Sequence, residues 1–224
     1  MRKILFAAAA LCSATAASAE TTQDGQLWGN VTLMSSFGKR GLYFLEAQPR
    51  FADGATRLSQ LLLRGGIGLQ VTDNLGVYAG YLHMLVPVAG GRDNNEERPF
   101  IQLMWQMGEV AGGKLSTRTR IEHRSFSRRP GDVVRVRSMI RWSHALTEGK
   151  TPRALLWAEP FVALNSQFWS APAGLDQLRS FVGLELPLAG KSTLEAGYMN
   201  QALNDRGPNN RMNHIASFTL FIRP

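Results

Sequence analysis

Lys114-Leu-Ser-Thr-Arg-Thr-Arg-Ile-Glu-His-Arg124 alternates with a period of two. Ser116, Arg118, Arg120, Glu122 and Arg124 occupy one set of positions, and Leu115, Thr117, Thr119, Ile121 and His123 the other. Side chains of an extended strand point alternately to opposite faces, so this segment has one highly charged side and one mostly apolar side. A soluble sheet would turn the charged side to water. A membrane barrel would turn it to a wet lumen and set the other side against lipid.

The same pattern recurs outward from this stretch in both directions. Runs of about 9 to 14 residues are separated by connections rich in Gly, Asp, Asn, Pro or Lys. Strands are expected near Gln26–Ser36, Leu42–Phe51, Leu58–Val71, Leu75–Val86 and Arg98–Gly108. Others are expected near Lys114–Phe126, Val133–His144, Arg153–Ser166, Gln177–Leu188, Ser192–Leu203 and Arg211–Arg223. Soluble strands average about five or six residues, whereas tilted bilayer-crossing strands need about nine to eleven. No run after the leader approaches the ~18 apolar residues of a transmembrane helix. The fold class expected is all-β, an antiparallel up-and-down transmembrane β-barrel. Eleven segments are visible, but bacterial barrels of this kind have even strand numbers, so ten or twelve strands are expected.

Short connections (Phe37–Gly41, Thr72–Asn74, Val110–Gly113, Leu146–Lys150, Ala189–Lys191) alternate with longer ones (Pro87–Glu97, Ser127–Asp132, Gln167–Asp176, Asn204–Asn210). Short periplasmic turns and long outer loops would give this alternation. Lys39, Lys114, Lys150 and Lys191 all lie in or beside short connections.

At the front of the chain, Arg2 and Lys3 precede an apolar run, Ile4 to Leu11, and Ala17-Ser18-Ala19 supplies a small-x-small cleavage site. Residues 1–19 therefore read as a secretory signal peptide cut before Glu20, and residues 20–224 as a single outer-membrane β-barrel domain. Leu11 precedes Cys12 where lipidation needs a small residue. Cleavage removes the only cysteine and lowers the formal charge from +8 to +6, leaving 19 arginines and 4 lysines. Lysine suits a solvated face, whereas arginine keeps its charge when partly buried and forks onto carboxylates. The bias points to an ion-paired interior, and no basic cluster is interleaved with aromatics as in single-strand binders, so nucleic acid is set aside.

Face by face, the inward set includes Glu46, Gln48, Arg50, Gln60, Arg64, Arg98, Gln102 and Gln106. The charge network expected to fill the lumen, or to line a solute path, is Arg118, Arg120, Glu122, Arg124, Arg135, Arg137, Arg141, Glu159 and Glu185, with Arg179 and Glu195 alongside. Arg118, Arg120, Arg135 and Arg137 are expected to pair with Glu122, Glu159 or Glu185. Facing out are Leu61, Leu63, Ile67, Leu69; Ile101, Leu103, Trp105; Val134, Val136, Ile140, Trp142; and Leu156, Val162, Leu164. Gly65, Gly66 and Gly68 mark a kink or a close approach to the lumen contents. Trp28, Phe37, Phe51, Trp142 and Trp157 stand near strand ends, where an aromatic girdle would lie, with some packing into the lumen instead.

Several segments resemble a bacterial domain-of-unknown-function family whose members are predicted to be outer-membrane β-barrels. The resemblance rests on Leu58-Ser-Gln-Leu-Leu-Leu-Arg64, Thr72-Asp-Asn-Leu75 and Gly80-Tyr81 in the first half. In the second half it rests on Ser116 to Arg124, Glu195-Ala-Gly-Tyr-Met-Asn-Gln201 and Arg211-Met-Asn-His214. It covers nearly the whole chain after the leader. It implies a barrel in the outer membrane of a Gram-negative bacterium, with no assigned activity and no catalytic residues to carry over. The partners it implies are membrane lipids, lipopolysaccharide and, during insertion, the barrel-assembly machinery. One departure is the end of the chain, Phe221-Ile-Arg-Pro224, where many such barrels finish on an aromatic residue.

The function expected is non-enzymatic: a structural protein or a narrow solute pore with an arginine-rich lumen. Barrels near eight strands are filled by side chains and wide channels come at about sixteen, which favours a filled or narrow lumen over an open porin. A first alternative is a lipid-acting outer-membrane hydrolase. His123-Arg-Ser125 places a base and a nucleophile on one strand face, as in outer-membrane phospholipase A and the lipid A deacylase. Phe126 stands where those enzymes have asparagine, and the neighbouring strand offers Val134, Val136 and Ser138 on that face, with no acid. A second alternative is a soluble periplasmic β-sandwich with its charges outside. His83, His144 and His214 lack metal-ligand spacing, so no metal or cofactor is expected.

Overall fold

The computed structural model describes residues 21–149, 151–204 and 210–224. The expected signal peptide with Cys12, the cleavage point before Glu20, Lys150, and residues 205–209 of the last connection lie outside the described residues.

Eleven strands follow one another: β1 (Thr22–Phe37), β2 (Gly41–Ala52), β3 (Arg57–Thr72), β4 (Leu75–Leu85), β5 (Glu96–Val110), β6 (Gly113–Phe126), β7 (Arg129–Ala145), β8 (Arg153–Ala163), β9 (Gly174–Pro187), β10 (Thr193–Leu203) and β11 (Arg211–Ile222). Each pairs antiparallel with the next, and β1 closes on β11 to complete one barrel. The sheet closes on itself, so the β-sandwich alternative does not hold. The strand number is eleven, neither ten nor twelve, and the closing pair departs from the antiparallel expectation. It is parallel, from Thr22 opposite Arg211 to Leu33 opposite Ile222. Every hairpin reverses the chain, so an odd last strand runs the same way as the first and only a parallel ladder can seal the seam.

An odd count also separates the ends of the sheet. The start of β1 shares one rim with connections 53–56, 86–95, 127–128 and 164–173, with the end of β10 and with the start of β11. The end of β11 shares the other with 38–40, 73–74, 111–112 and 188–192, with the end of β7 and with the start of β8. We call these the loop rim and the turn rim. Lys39, Lys114 and Lys191 all stand at the turn rim. Ser127–Asp132, expected as a long connection, is instead a two-residue turn, because Phe126 already pairs with Arg129. Strands β5 and β9 begin earlier than the sequence pattern suggests, which draws Glu96 and Asp176 towards the barrel interior.

Polarity is inverted relative to a water-soluble barrel. Arg50, Arg64, Arg98, Arg120, Glu122, Arg135, Arg137, Glu159 and Arg179 are buried, whereas Leu63, Ile67, Leu69, Ile101, Leu103, Trp105, Ile140, Leu156 and Leu164 are exposed, Ile67 by 68%. Among the described residues, the outward-facing strand positions carry only two acidic side chains and no Lys or Arg: Glu97, bonded to Tyr81 and His83, and Asp132, beside His123, both near the loop end of their strands. Two of the few hydroxyls there, Thr119 and Ser138, hydrogen-bond each other at 2.8 Å. Along β3 the outward run from Leu61 to Val71 covers ten steps, roughly 25 Å of height at a typical tilt of about 40°.

Inside, three apolar clusters brace the charges. Trp28, Leu155, Phe181, Met199 and Ile215 form one, and Phe44, Tyr78 and Phe100 another. Leu62, Leu82 and Met84 form the third. The glycines of β3 mark close approach: a Cβ on Gly68 would fall 2.7 Å from Cδ1 of Tyr78, and one on Gly66 would fall 2.6 Å from Cε1 of Phe44. The rings of Phe44 and Tyr78 lie flat on backbone that only glycine leaves clear.

Candidate functional site

The inward positions of β6, β7 and β8 converge on two glutamates. Glu159 receives Arg137 as a fork, Nε to Oε1 at 2.9 Å and Nη2 to Oε2 at 2.7 Å. It also accepts from Arg118 at 3.1 Å. Glu122 accepts from Arg135 at 2.8 Å and from Arg137 at 3.3 Å, and Arg120 stands 3.5 Å away. These groups are enclosed: Arg120 is 2%, Glu122 1% and Glu159 1% exposed. Register explains the geometry, since Arg120 lies opposite Arg137 and Glu122 opposite Arg135. Bidentate guanidinium–carboxylate contacts satisfy both groups at once, which burial in a narrow lumen demands.

Two further groups flank this centre. Towards the loop rim, Glu96 accepts from Arg98 at 2.6 Å and from Arg124 at 2.5 Å, and Asp176 lies 3.5 Å from Arg135. Towards the turn rim, Arg141 binds both Glu185 and Glu195, the latter at 2.8 Å, and Arg153 lies 3.6 Å from Glu185. Just beyond β11, burial draws the Arg223 guanidinium below its ordinary value while Glu185 and Glu195 oppose it. On the β2–β3 wall Arg64 donates to Glu46 at 2.5 Å. Thus Arg118, Arg120, Arg135 and Arg137 meet Glu122 and Glu159, while Glu185 serves Arg141 and Arg153. Glu96, Asp176 and Arg153 were missing from the expected network. Glu96 was legible in principle, because it continues the alternation of Arg98, Phe100 and Gln102 by one step.

Not every guanidinium meets a carboxylate. Arg50 donates to Gln48 at 2.7 Å and Gln60 at 2.9 Å, and its central carbon lies 3.7 Å from the centre of the Trp28 ring. Arg179 lies 4.9 Å from the same ring and 4.7 Å from Phe161. With its oxygen turned towards Arg179, the Gln177 carboxamide accepts from Nε at 2.6 Å. Among the described residues, neither arginine has a carboxylate within ion-pair distance. Phe161, wholly buried, also carries Arg135 at 4.9 Å and Arg137 at 4.4 Å. The negative ring faces stand where further carboxylates are lacking. Trp28 and Trp157 thus face the lumen rather than a girdle, whereas Trp142 faces outward and bonds to the Val110 carbonyl at 2.9 Å. Leu27, Val31 and Leu33 alternate against Trp28 and carried that signal.

Two cavities flank the packed centre, about 360 Å³ on the turn side and about 680 Å³ on the loop side. Trp28, Arg50 and Arg179 line both. Together the cavities expose fourteen arginines and eight carboxylates, with Glu122 enclosed behind them.

The His123-Arg-Ser125 pair lies outside the lumen. His123 is exposed at the loop rim, and its Nε2 stands 3.3 Å from Asp132 Oδ2. This corrects the expectation that no acid serves that face: the two-residue turn after Phe126 folds Asp132 back beside the histidine. No hydrogen bond joins His123 to Ser125 among the described residues. The other histidines sit at the rims. His83 meets Glu97 at 2.6 Å, His214 meets Tyr198 at 2.6 Å, and His144 stacks on Trp142.

Residues 25–213 match the model of a family described as protein of unknown function (DUF2490). An uncharacterised protein of Methylorubrum extorquens is 41% identical over 225 residues, covering 99% of this chain and 97% of that protein. No solved structure matches the chain.

Proposed function

The chain belongs to the DUF2490 family, and from that premise we propose that it is an outer-membrane β-barrel protein with a filled, arginine-rich lumen. Its role is structural or that of a narrow solute path. The observation that carries the reading is the inverted polarity, with a mainly apolar exterior, whose two acids lie near the loop rim, around an ion-paired interior. A monomeric soluble protein rarely exposes apolar patches beyond a few hundred Å², whereas a bilayer selects this partition by about 2–4 kcal/mol per misplaced midplane charge. The expected leader, with Arg2, Lys3 and the Ala17-Ser18-Ala19 site, supports export. The short turns and lysines suit a periplasmic rim and the longer loops an outer one.

The filled lumen follows from the enclosed Glu122 and Glu159 centre and from a strand number nearer to eight than to sixteen. Cell fractionation tests location: recovery from the outer membrane only with detergent supports it, and release with the soluble periplasm overturns it. Planar-bilayer recording tests the lumen. Silence or small anion-selective steps are expected, and porin-sized conductance would overturn the filled centre.

One observation favours a second reading, lipid hydrolysis at the loop rim. Asp132 beside His123 Nε2 leaves Nδ1 to take a proton from Ser125 Oγ, the order of parts in a nucleophile–base–acid relay. Phe126 in place of asparagine and the missing His123–Ser125 hydrogen bond weigh against it.

A further inference from the structure

We propose that the layer formed by Trp28, Arg50 and Arg179 is a binding site for a small, doubly charged oxyanion of the phosphate class. This rests on the narrow-lumen reading given above and adds to it a ligand chemistry and a place. Elsewhere in the lumen centre, arginine is matched by glutamate. Here two guanidiniums stand at 3.7 Å and 4.9 Å from one indole ring, and among the described residues no carboxylate lies within ion-pair distance of either; Glu159, across the ladder from Arg179, is taken up by the fork of Arg137.

Both side chains are buried, so water neutralises little of their charge. Their polar neighbours, Gln48, Gln60 and Gln177, are neutral amides that fix the forks without cancelling them. Indole faces hold a guanidinium in place but supply no net negative charge. What remains is two fixed positive charges facing both cavities. Planar guanidinium forks select tetrahedral oxyanions through paired N–H donors, and two of them match a dianion. The strand walls surround this layer, so the anion arrives as a free solute through the loop-side cavity, not as a bilayer headgroup.

The test uses the purified full chain in detergent, with inorganic phosphate titrated calorimetrically at neutral pH and low salt. Wild type is expected to bind saturably at one site. Arg50→Gln with Arg179→Gln is expected to weaken binding at least about tenfold, as the loss of charge-assisted bonds implies. Arg128→Gln, exposed at the loop rim and donating to the Arg92 carbonyl, is expected to change affinity less than about twofold. Heat-modifiable gel mobility checks that the variants keep the barrel. If the double variant loses it, the single variants Arg50→Gln and Arg179→Gln are judged by the same tenfold criterion. No saturable heat up to about 10 mM phosphate, or equal binding by the charge-removed variants, overturns the site. A protein found in the outer membrane that fails to bind overturns this inference alone. A protein released with the soluble periplasm overturns the location while its phosphate binding stays measurable.

Discussion

Arg137 on β7 and Glu159 on β8 form a two-bonded fork, at 2.9 Å and 2.7 Å, in the middle of the barrel. Glu159 also serves Arg118, so one carboxylate ties three strands together. Breaking such a buried pair leaves an uncompensated charge and costs about 3–5 kcal/mol, whereas an apolar pair of similar volume is often tolerated. Glu159→Gln is therefore expected to lower the unfolding free energy by about 3 kcal/mol, read from denaturant unfolding in detergent. Arg137→Leu with Glu159→Leu is expected to cost less than Glu159→Gln alone. An equal or greater loss in the double variant would mean that the pair itself, not charge compensation, holds the centre.

Leu103 lies on the outward face of β5, opposite Thr119. If hydrocarbon covers it, Leu103→Arg costs about 2–4 kcal/mol in lipid. If water covers it, the change stays within about 0.5 kcal/mol, as for ordinary surface substitutions. Reversible unfolding from lipid vesicles distinguishes these values.

The parallel seam between β1 and β11 places the start of one and the end of the other at opposite rims. With the expected leader removed, no natural cysteine interferes with labelling. A cysteine at Arg57 is expected to react with a membrane-impermeant maleimide on intact cells. One at Lys39 is expected to react only after the outer membrane is opened. The reverse pattern would invert the proposed orientation.

At the loop rim, wild type incubated with phospholipid and lipopolysaccharide is expected to release no fatty acid above a heat-inactivated control. Release that Ser125→Ala abolishes would establish the His123–Asp132 relay as an active site. Release that persists in Ser125→Ala would place a hydrolytic group elsewhere.

Alternation is a local property, and so the sequence by itself settled which residues share a face. Arg118, Arg120 and Glu122 fall together on β6 because each step of two returns a side chain to the same side. Eleven segments and their alternating faces were legible on that ground, but the count of ten or twelve strands expected from them was not the one the closed sheet has. Local period says nothing about which strand stands beside which, or at what height. Only closure, with β1 sealed in parallel on β11, decided that Arg141 would meet Glu195 from 54 residues away and that Arg118 would meet Glu159 from 41 away. The same closure set Arg50 and Arg179 on one indole ring without a carboxylate, and a two-residue turn put Asp132 against His123. Those juxtapositions depend on register and on the curvature of the whole sheet, to which every strand contributes and which no single segment encodes.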